Sequence, residues 1–485
     1  MKEGQNKTGD MPVEEFRKYG YQVVDWIADY LKNVEKYPVL SQINPGDVKS
    51  KIPAQPPQQG ESFDKIIKDV DEIIMPGITH WNHPNFMAYF NSTSSAPGIL
   101  AEMFSAALNV NGMLWKTSPS VTELEEASLN WFRQMLGFPE AFWGIIYDTA
   151  SVSSMHAIAA AREQVSQFLF RKKGMAGRAE VPRLRLYCTE HSHSSIDKGA
   201  IAMGIGVEGI RKIPVDNQFR MIPEELEKAI KEDKAEGWFP FCTVATVGTT
   251  SSTSIDPVDE IGDICTRENI WFHVDGAYGG IAAVLPEMRH IFKGIEKADS
   301  IVVNPHKWMF TPIDLSVFFT KKPEILKRAF SLVAEYLKTQ EGETVQNYMD
   351  YGVQLGRRFR SLKLWFIIRY FGVEGIQNRI QEHLDLAKNL KVEIEKDKTF
   401  EIMAPMPFSV ICFRFHPEQL SDEKSIDEIN EKLMSEVNAT GELFISHTKL
   451  NNKLVLRIAI SGIRTEKRHV DQAWKLIQTK AKELI

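Results

Sequence analysis

The stretch F-C-T-V-A-T-V, residues 241–247, is small, apolar or β-branched at every position, so neither of its faces is suited to water. A strand of this kind is covered on both sides, which places it in a sheet with helices packed over each face. Runs of the same character recur at L-R-L-Y-C (184–188), I-W-F-H-V (270–274), S-I-V-V (300–303) and L-S-V-F-F (315–319). They alternate with helical patterns between about residues 90 and 372, an order that predicts an α/β domain on a mostly parallel sheet. In such sheets ligands bind at the carboxyl ends of the strands, so the residues just after these runs are the ones to search for chemistry.

Outward from this core the pattern changes twice. Residues 12–35 place Phe16, Val23, Val24, Ile27, Tyr30, Leu31 and Val34 at helical spacing, which predicts an amphipathic helix with one face to bury. Five prolines between residues 37 and 60 predict an extended arm. After residue 373, a helix near 374–396 precedes the strand candidates F-S-V-I-C-F-R-F (408–415), E-L-F-I-S (442–446) and K-L-V-L-R-I-A-I (453–460), with a last helix from about 465. The expected organisation is an N-terminal helix and arm (1–90), a large domain (91–372) and a small α+β domain (373–485).

The 485 residues carry a formal charge of −6 with charges interspersed, so no basic stripe points to nucleic acid or an anionic membrane. No uncharged apolar run of about eighteen residues is present. Cys188, Cys242, Cys265 and Cys412 are scattered without a C-x-x-C, as in a chain with reduced thiols, and the twelve histidines form no H-E-x-x-H. The expectation is a cytoplasmic protein without a metal, acting on small molecules.

Four segments after the strands carry candidate chemistry. In S-I-V-V-N-P-H-K-W-M-F (300–310) a lysine, Lys307, sits between apolar runs. It is either an ordinary exposed lysine or a buried one, whose pKa falls from about 10.4 and which becomes a nucleophile suited to an aldehyde cofactor. In W-F-H-V-D-G-A-Y-G-G (271–280) Asp275 ends a strand, either as a turn residue or as the partner of a protonated pyridine nitrogen, with Ala277 offering a flat contact. Thr149, Ala150 and Ser151 precede the helical run 153–164, as an N-cap or as a phosphate site, with Asn304 a further donor. His193, in T-E-H-S-H-S-S, is either structural or stacks on a planar ring. Gly204, Gly206 and Gly209 form a G-x-G-x-x-G, but it follows a helical stretch and precedes a strand, so they are turn glycines.

Taken together, these segments resemble the group II pyridoxal-phosphate decarboxylases, and among them the aromatic L-amino-acid decarboxylases. The resemblance runs through F-R-K-Y-G-Y-Q-V-V-D-W-I-A-D-Y-L (16–31), I-M-P-G-I-T-H-W (74–81), S-P-S-V-T-E-L-E (118–125), H-S-S (193–195), H-V-D-G-A-Y-G-G (273–280), N-P-H-K-W (304–308), L-G-R-R-F-R-S-L-K-L-W-F (355–366) and H-V-x-x-A-W (469–474). It implies the fold-type I, aspartate-aminotransferase-like architecture, pyridoxal 5'-phosphate as cofactor, and a homodimer with shared active sites.

Residue by residue, the resemblance implies that Lys307 holds the cofactor as a Schiff base, Asp275 pairs with the pyridine nitrogen, His193 stacks on the ring and Thr246 lies beside the phenolic oxygen. Thr149, Ala150, Ser151 and Asn304 match phosphate positions, with His306 beside them. Trp81, Tyr89 and Phe90 match aromatic residues around the substrate, with Met113 contributed across the dimer interface. The stretch 335–354 is expected to be a mobile active-site loop bearing Tyr348 as the proton donor to Cα. Asp148, where the family usually has Gly, and Asn91 and Asn111 near the pocket depart from the pattern. The implied reaction is decarboxylation of an aromatic L-amino acid to its amine and carbon dioxide. The alternatives are an aldehyde synthase on the same scaffold and a catalytically silent binding protein, which the presence of Lys307 and Asp275 disfavours.

Overall fold

A computed structural model describes residues 9–332 and 344–485. Its large domain is built on a seven-stranded sheet: β1 Trp143–Tyr147, β2 Arg183–Thr189, β3 Ile210–Ile213, β4 Trp238–Thr246, β5 Trp271–Asp275, β6 Ser300–Val303 and β7 Ser316–Thr320, in the order β1-β7-β6-β5-β4-β2-β3. Only β7 runs against its neighbours; the contacts β2–β3, β2–β4, β4–β5 and β5–β6 are parallel. Side chains alternate into two separate cores. Ile145, Val244, Trp271 and Phe318 pack on one face, and Ile146, Ala245, Phe272, Val274, Val303 and Val317 on the other, which is why the strand sequences are apolar throughout. Register sets the site, because Thr246 pairs with Asp275 and Asp275 with Val302, so β4, β5 and β6 end side by side.

The small domain is an antiparallel sheet, β10-β11-β9-β8, from β8 Phe400–Ile402, β9 Val410–Phe415, β10 Ser446–Leu450 and β11 Lys453–Ala459. The helices Glu423–Ala439 and Lys467–Glu483 pack on it. A long helix, Ser361–Lys396, spans from the large domain to the small one, and Gly372 interrupts it with φ 66° and ψ 171°, a conformation that costs glycine little.

The N-terminal helix Val13–Asn33 lies against residues 63–77, tied by Tyr19 Oη to Asp64 (3.2 Å) and Trp26 Nε1 to Asp71 (2.8 Å). The arm after it is extended except for one short helix, Asp47–Lys51. Of E-L-F-I-S, only Ser446 enters a strand of the small sheet. Phe444 pairs with the arm, accepting from Met87 N and donating to Asn85 O (2.9 and 3.2 Å). Gly204 and Gly206 take positive φ in the turn between helix Ser195–Ala202 and β3. All four cysteines are buried and free. Among the described residues no helix is long and apolar enough to cross a membrane, and no group of His, Cys, Asp and Glu is arranged to hold a metal.

Candidate active site at the ends of β4, β5 and β6

A cavity of about 170 Å³ opens where these strands end, lined by Phe90, Thr149, Ala150, Ser151, His193, Thr246, Gly248, Thr250, Asp275, Ala277, Tyr278, Asn304, His306 and Lys307. Ten of these, from Thr149 to Lys307, are the residues expected around the cofactor. A larger cleft of about 320 Å³, bordered by Gln218, Asp256 and Lys293, contains none of them.

Lys307 reaches the cavity because β6 ends at Val303 and one helical turn, Pro305–Trp308, follows at once. Its amine is buried 5.1 Å from the centroid of Phe90. Burial pushes its pKa below the ordinary lysine value, and the negative charge of Asp275 opposes that shift only in part. Asp275 is 5% exposed, and one carboxylate oxygen accepts from Ala277 N at 3.0 Å, which leaves the other for a ligand.

The walls present polar atoms without protein partners, each costly to bury unless a ligand satisfies it. Thr246 Oγ1 is one, and its backbone N–H is held by Asp256 at 2.7 Å. His306 is a second fixed point: its Nδ1 accepts from Leu315 N at 2.9 Å, and burial holds its pKa down at about 3. The neutral ring therefore carries its proton on Nε2, 3.3 Å from the Asn304 amide. The atom of Asn304 that faces it is then the amide oxygen, and the NH2 group is left without a partner among the described residues. Ala150 and Ser151 open the helix Ala150–Gln164, whose first N–H groups form an anion site. His193 Nδ1 accepts from Ser195 N at 3.1 Å. Partial desolvation lowers its pKa, which favours the neutral ring, although the side chain remains exposed at the cavity mouth.

Phe90 is seated by a column of rings, on Tyr278 (4.1 Å, 19°) and through it on Trp308 (4.9 Å, 7°). The other expected substrate residues are not brought to this cavity. Trp81 and Tyr89 are 39% and 51% exposed and stack on each other at 6.1 Å, and Met113 packs beside Leu114 and Met349. Asn91 is buried and donates to Phe86 O, and Asn111 accepts from Arg357 N; neither lines the cavity.

Tyr348, expected as the proton donor, does not line this cavity within the single chain. Residues 335–343 of the expected loop lie outside the described residues, whereas Tyr348–Tyr351 forms a 3-10 turn. The Tyr348 ring is 2% exposed, packed 5.8 Å from Trp143 and 4.6 Å from the Arg357 guanidinium. A proton donor must come within hydrogen-bond reach of its acceptor, and this phenol faces the core instead of the cavity.

The sequence reading missed Arg457. It projects from β11 so that its guanidinium carbon lies 5.3 Å from the Phe90 centroid, donates to Ser251 O and Ser446 Oγ, and is 5% exposed with Nη2 unpartnered. A lone arginine inside the apolar K-L-V-L-R-I-A-I was the available signal, since a charge is buried there only with a partner.

An amine whose pKa burial lowers, a buried carboxylate in the same cavity, a small alanine, unpartnered polar atoms and a helix N-terminus fit an aldehyde-bearing aromatic phosphate. Residues 45–416 match the model of the "Pyridoxal-dependent decarboxylase conserved domain". Tryptophan decarboxylase 2 of Oryza sativa subsp. japonica is 39% identical over 485 residues, covering 98% of this chain and 96% of that protein. Phenylacetaldehyde synthase of Arabidopsis thaliana is 40% identical, covering 98% and 97%. The crystal structure of Oryza sativa TDC with PLP and tryptamine superposes with a TM-score of 0.94 at 34% identity, over 99% of this chain and 100% of that one.

Proposed function

Since this chain belongs to the pyridoxal-dependent decarboxylase family, we propose that it removes the α-carboxylate of an aromatic L-amino acid, releasing carbon dioxide and the amine. The convergence of Lys307 and Asp275 in one buried cavity carries this reading. Pyridoxal phosphate, when bound, supplies an aldehyde that condenses with amines and a ring that withdraws electrons from Cα.

The residues would share the work as follows. Lys307, whose pKa is lowered by desolvation, would be the nucleophile that attaches the cofactor. Asp275 holds a proton on the ring nitrogen. Thr149, Ala150, Ser151 and Asn304 bind the phosphate, Thr246 bonds the phenolic oxygen, and His193 and Ala277 flank the ring. Phe90 provides an apolar contact for an aromatic side chain. Arg457, whose charge pairs with no carboxylate among the described residues, would receive the substrate carboxylate. Lys307 and His193, which both line the cavity, would be the groups to carry a proton to or from the bound substrate.

The relative named as an aldehyde synthase favours one alternative, in which carbon dioxide is lost and dissolved oxygen and water are consumed to give aldehyde, ammonia and hydrogen peroxide. A panel of L-tryptophan, L-tyrosine, L-phenylalanine and L-dopa, with amine, aldehyde and carbon dioxide all quantified, separates the two. Release of carbon dioxide from none of them would overturn the reading.

A two-fold homodimer is part of the proposal. Phe16 and Val24 of the N-terminal helix, and Leu100, Met103, Phe104 and Leu108 of helix Ala96–Leu108, are exposed apolar side chains that a second copy would cover. Trp81, Tyr89 and Met113 would then be contributed at the interface. The four buried free thiols support a cytoplasmic location.

A further inference from the structure

Asp148 stands one residue before the Thr149–Ser151 turn, where its charge opposes a phosphate dianion. No Lys or Arg among the described residues pairs with it. Its oxygens are taken up in another way: Oδ1 accepts from Thr149 N at 2.6 Å and Thr149 Oγ1 at 3.3 Å, and Oδ2 accepts from Gln354 Nε2 at 3.2 Å.

Gln354 is presented by a segment seated on the same turn and helix. Tyr147 Oη, at the end of β1, donates to Tyr351 O, and His156 Nε2 accepts from Val353 N at 3.1 Å. The His156 and Tyr147 rings stack at 4.3 Å, and a Cβ at Gly352 would lie 2.9 Å from His156 Nε2, so residue 352 must be glycine for the segment to sit this close. His156 belongs to the helix whose first turn is the phosphate site. Residues 351–354 thus grip both ends of the phosphate turn, β1 before it and the helix after it.

We propose that Gln354 is a positioning residue for the cofactor, its amide holding the Asp148 carboxylate turned away from the bound phosphate. This rests on the pyridoxal-phosphate reading above. By linkage, seating of residues 351–354 and tight binding of the phosphate reinforce each other to the same degree.

The test titrates full-length apoprotein with pyridoxal phosphate and with pyridoxal, following absorbance. Asp148→Asn keeps the shape and all three hydrogen bonds, because the Gln354 amide can turn, and removes only the charge. It should tighten pyridoxal phosphate by about threefold to tenfold, as expected for a partly screened charge, and leave pyridoxal unchanged. Gln354→Ala should weaken pyridoxal phosphate by about threefold, in the range of an exposed side-chain contact, again without affecting pyridoxal. In the double variant that loss should vanish. The proposal is overturned if Gln354→Ala weakens both ligands alike, or weakens pyridoxal phosphate equally with Asn at 148. If wild type prefers neither ligand, the cofactor reading itself fails.

Discussion

Lys307 and Arg457 converge on one ring, with Nζ of the first 5.1 Å and the guanidinium carbon of the second 5.3 Å from the centroid of Phe90. The first follows β6 of the large sheet and the second lies on β11 of the small one, so the Phe90 ring is approached by a cation from each domain. If Arg457 receives the substrate carboxylate, Arg457→Ala should lower kcat/KM by about a hundredfold, the scale of truncating one side of a buried charged pair. Arg457→Lys should recover little, because a point charge cannot reproduce the bonds to Ser251 and Ser446. Wild-type kcat/KM in Arg457→Ala would show that the carboxylate is held elsewhere.

Asp275→Ala should keep the cofactor and lose about 10²- to 10³-fold in kcat, because the remaining groups bind the ring and phosphate while nothing holds the proton on the ring nitrogen. Retention is read from absorbance and the loss from carbon dioxide release. Near-normal kcat would remove Asp275 from the mechanism.

Tyr348→Phe should still make amine without peroxide, and its stability should change by no more than about 1 kcal/mol, since the buried phenol has no hydrogen-bond partner to lose. Accumulation of aldehyde and hydrogen peroxide would mean that Tyr348 leaves its site beside Trp143 and Arg357 during turnover.

The strands were legible because burial on both faces of a parallel sheet leaves an apolar run in the sequence. The short ones were not: W-G-I-I-Y contains a glycine and F-E-I is only three residues. E-L-F-I-S misled because Leu443 and Ile445 are buried, yet Phe444 pairs its backbone with residues 85 and 87, a contact hundreds of positions away in the chain. Of the residues that line the cavity, Asp275 was legible as a carboxylate ending an apolar strand and Lys307 as a cation among apolar neighbours, whereas Thr246 and His306 came only with the family resemblance. Arg457 was not, since its part depends on the small domain packing over the large one. The burial of Tyr348 was not legible, because a polar neighbourhood in sequence says nothing about which tyrosine the turn folds inward.

Acid should unfold this protein from about pH 6.5 downward. Burial depresses His83, His156, His273 and His383 to about 4 and His306 to about 3. A base with a lowered folded pKa binds its proton more readily when unfolded, so its stabilising contribution is complete above about pH 6.5 and is lost as pH falls toward the folded value. Asp256, raised to about 6 by burial, acts in the opposite sense, stabilising as pH falls from 6 toward 4. Five histidines against one aspartate leave a net uptake of about four protons on unfolding near pH 5. Urea denaturation of the apoprotein at pH 7, 6 and 5 should show stability falling at each step, and a constant midpoint would contradict the burial of these rings as neutral species.

The account rests above all on Lys307 as the residue that carries the cofactor. Borohydride reduction of the purified protein with pyridoxal phosphate, followed by proteolysis and mass mapping, tests this directly. The reduced pyridoxyl group should lie on Lys307 alone, and Lys307→Ala should take up no label and release no carbon dioxide. A label on another lysine, or turnover that survives in Lys307→Ala, would contradict it.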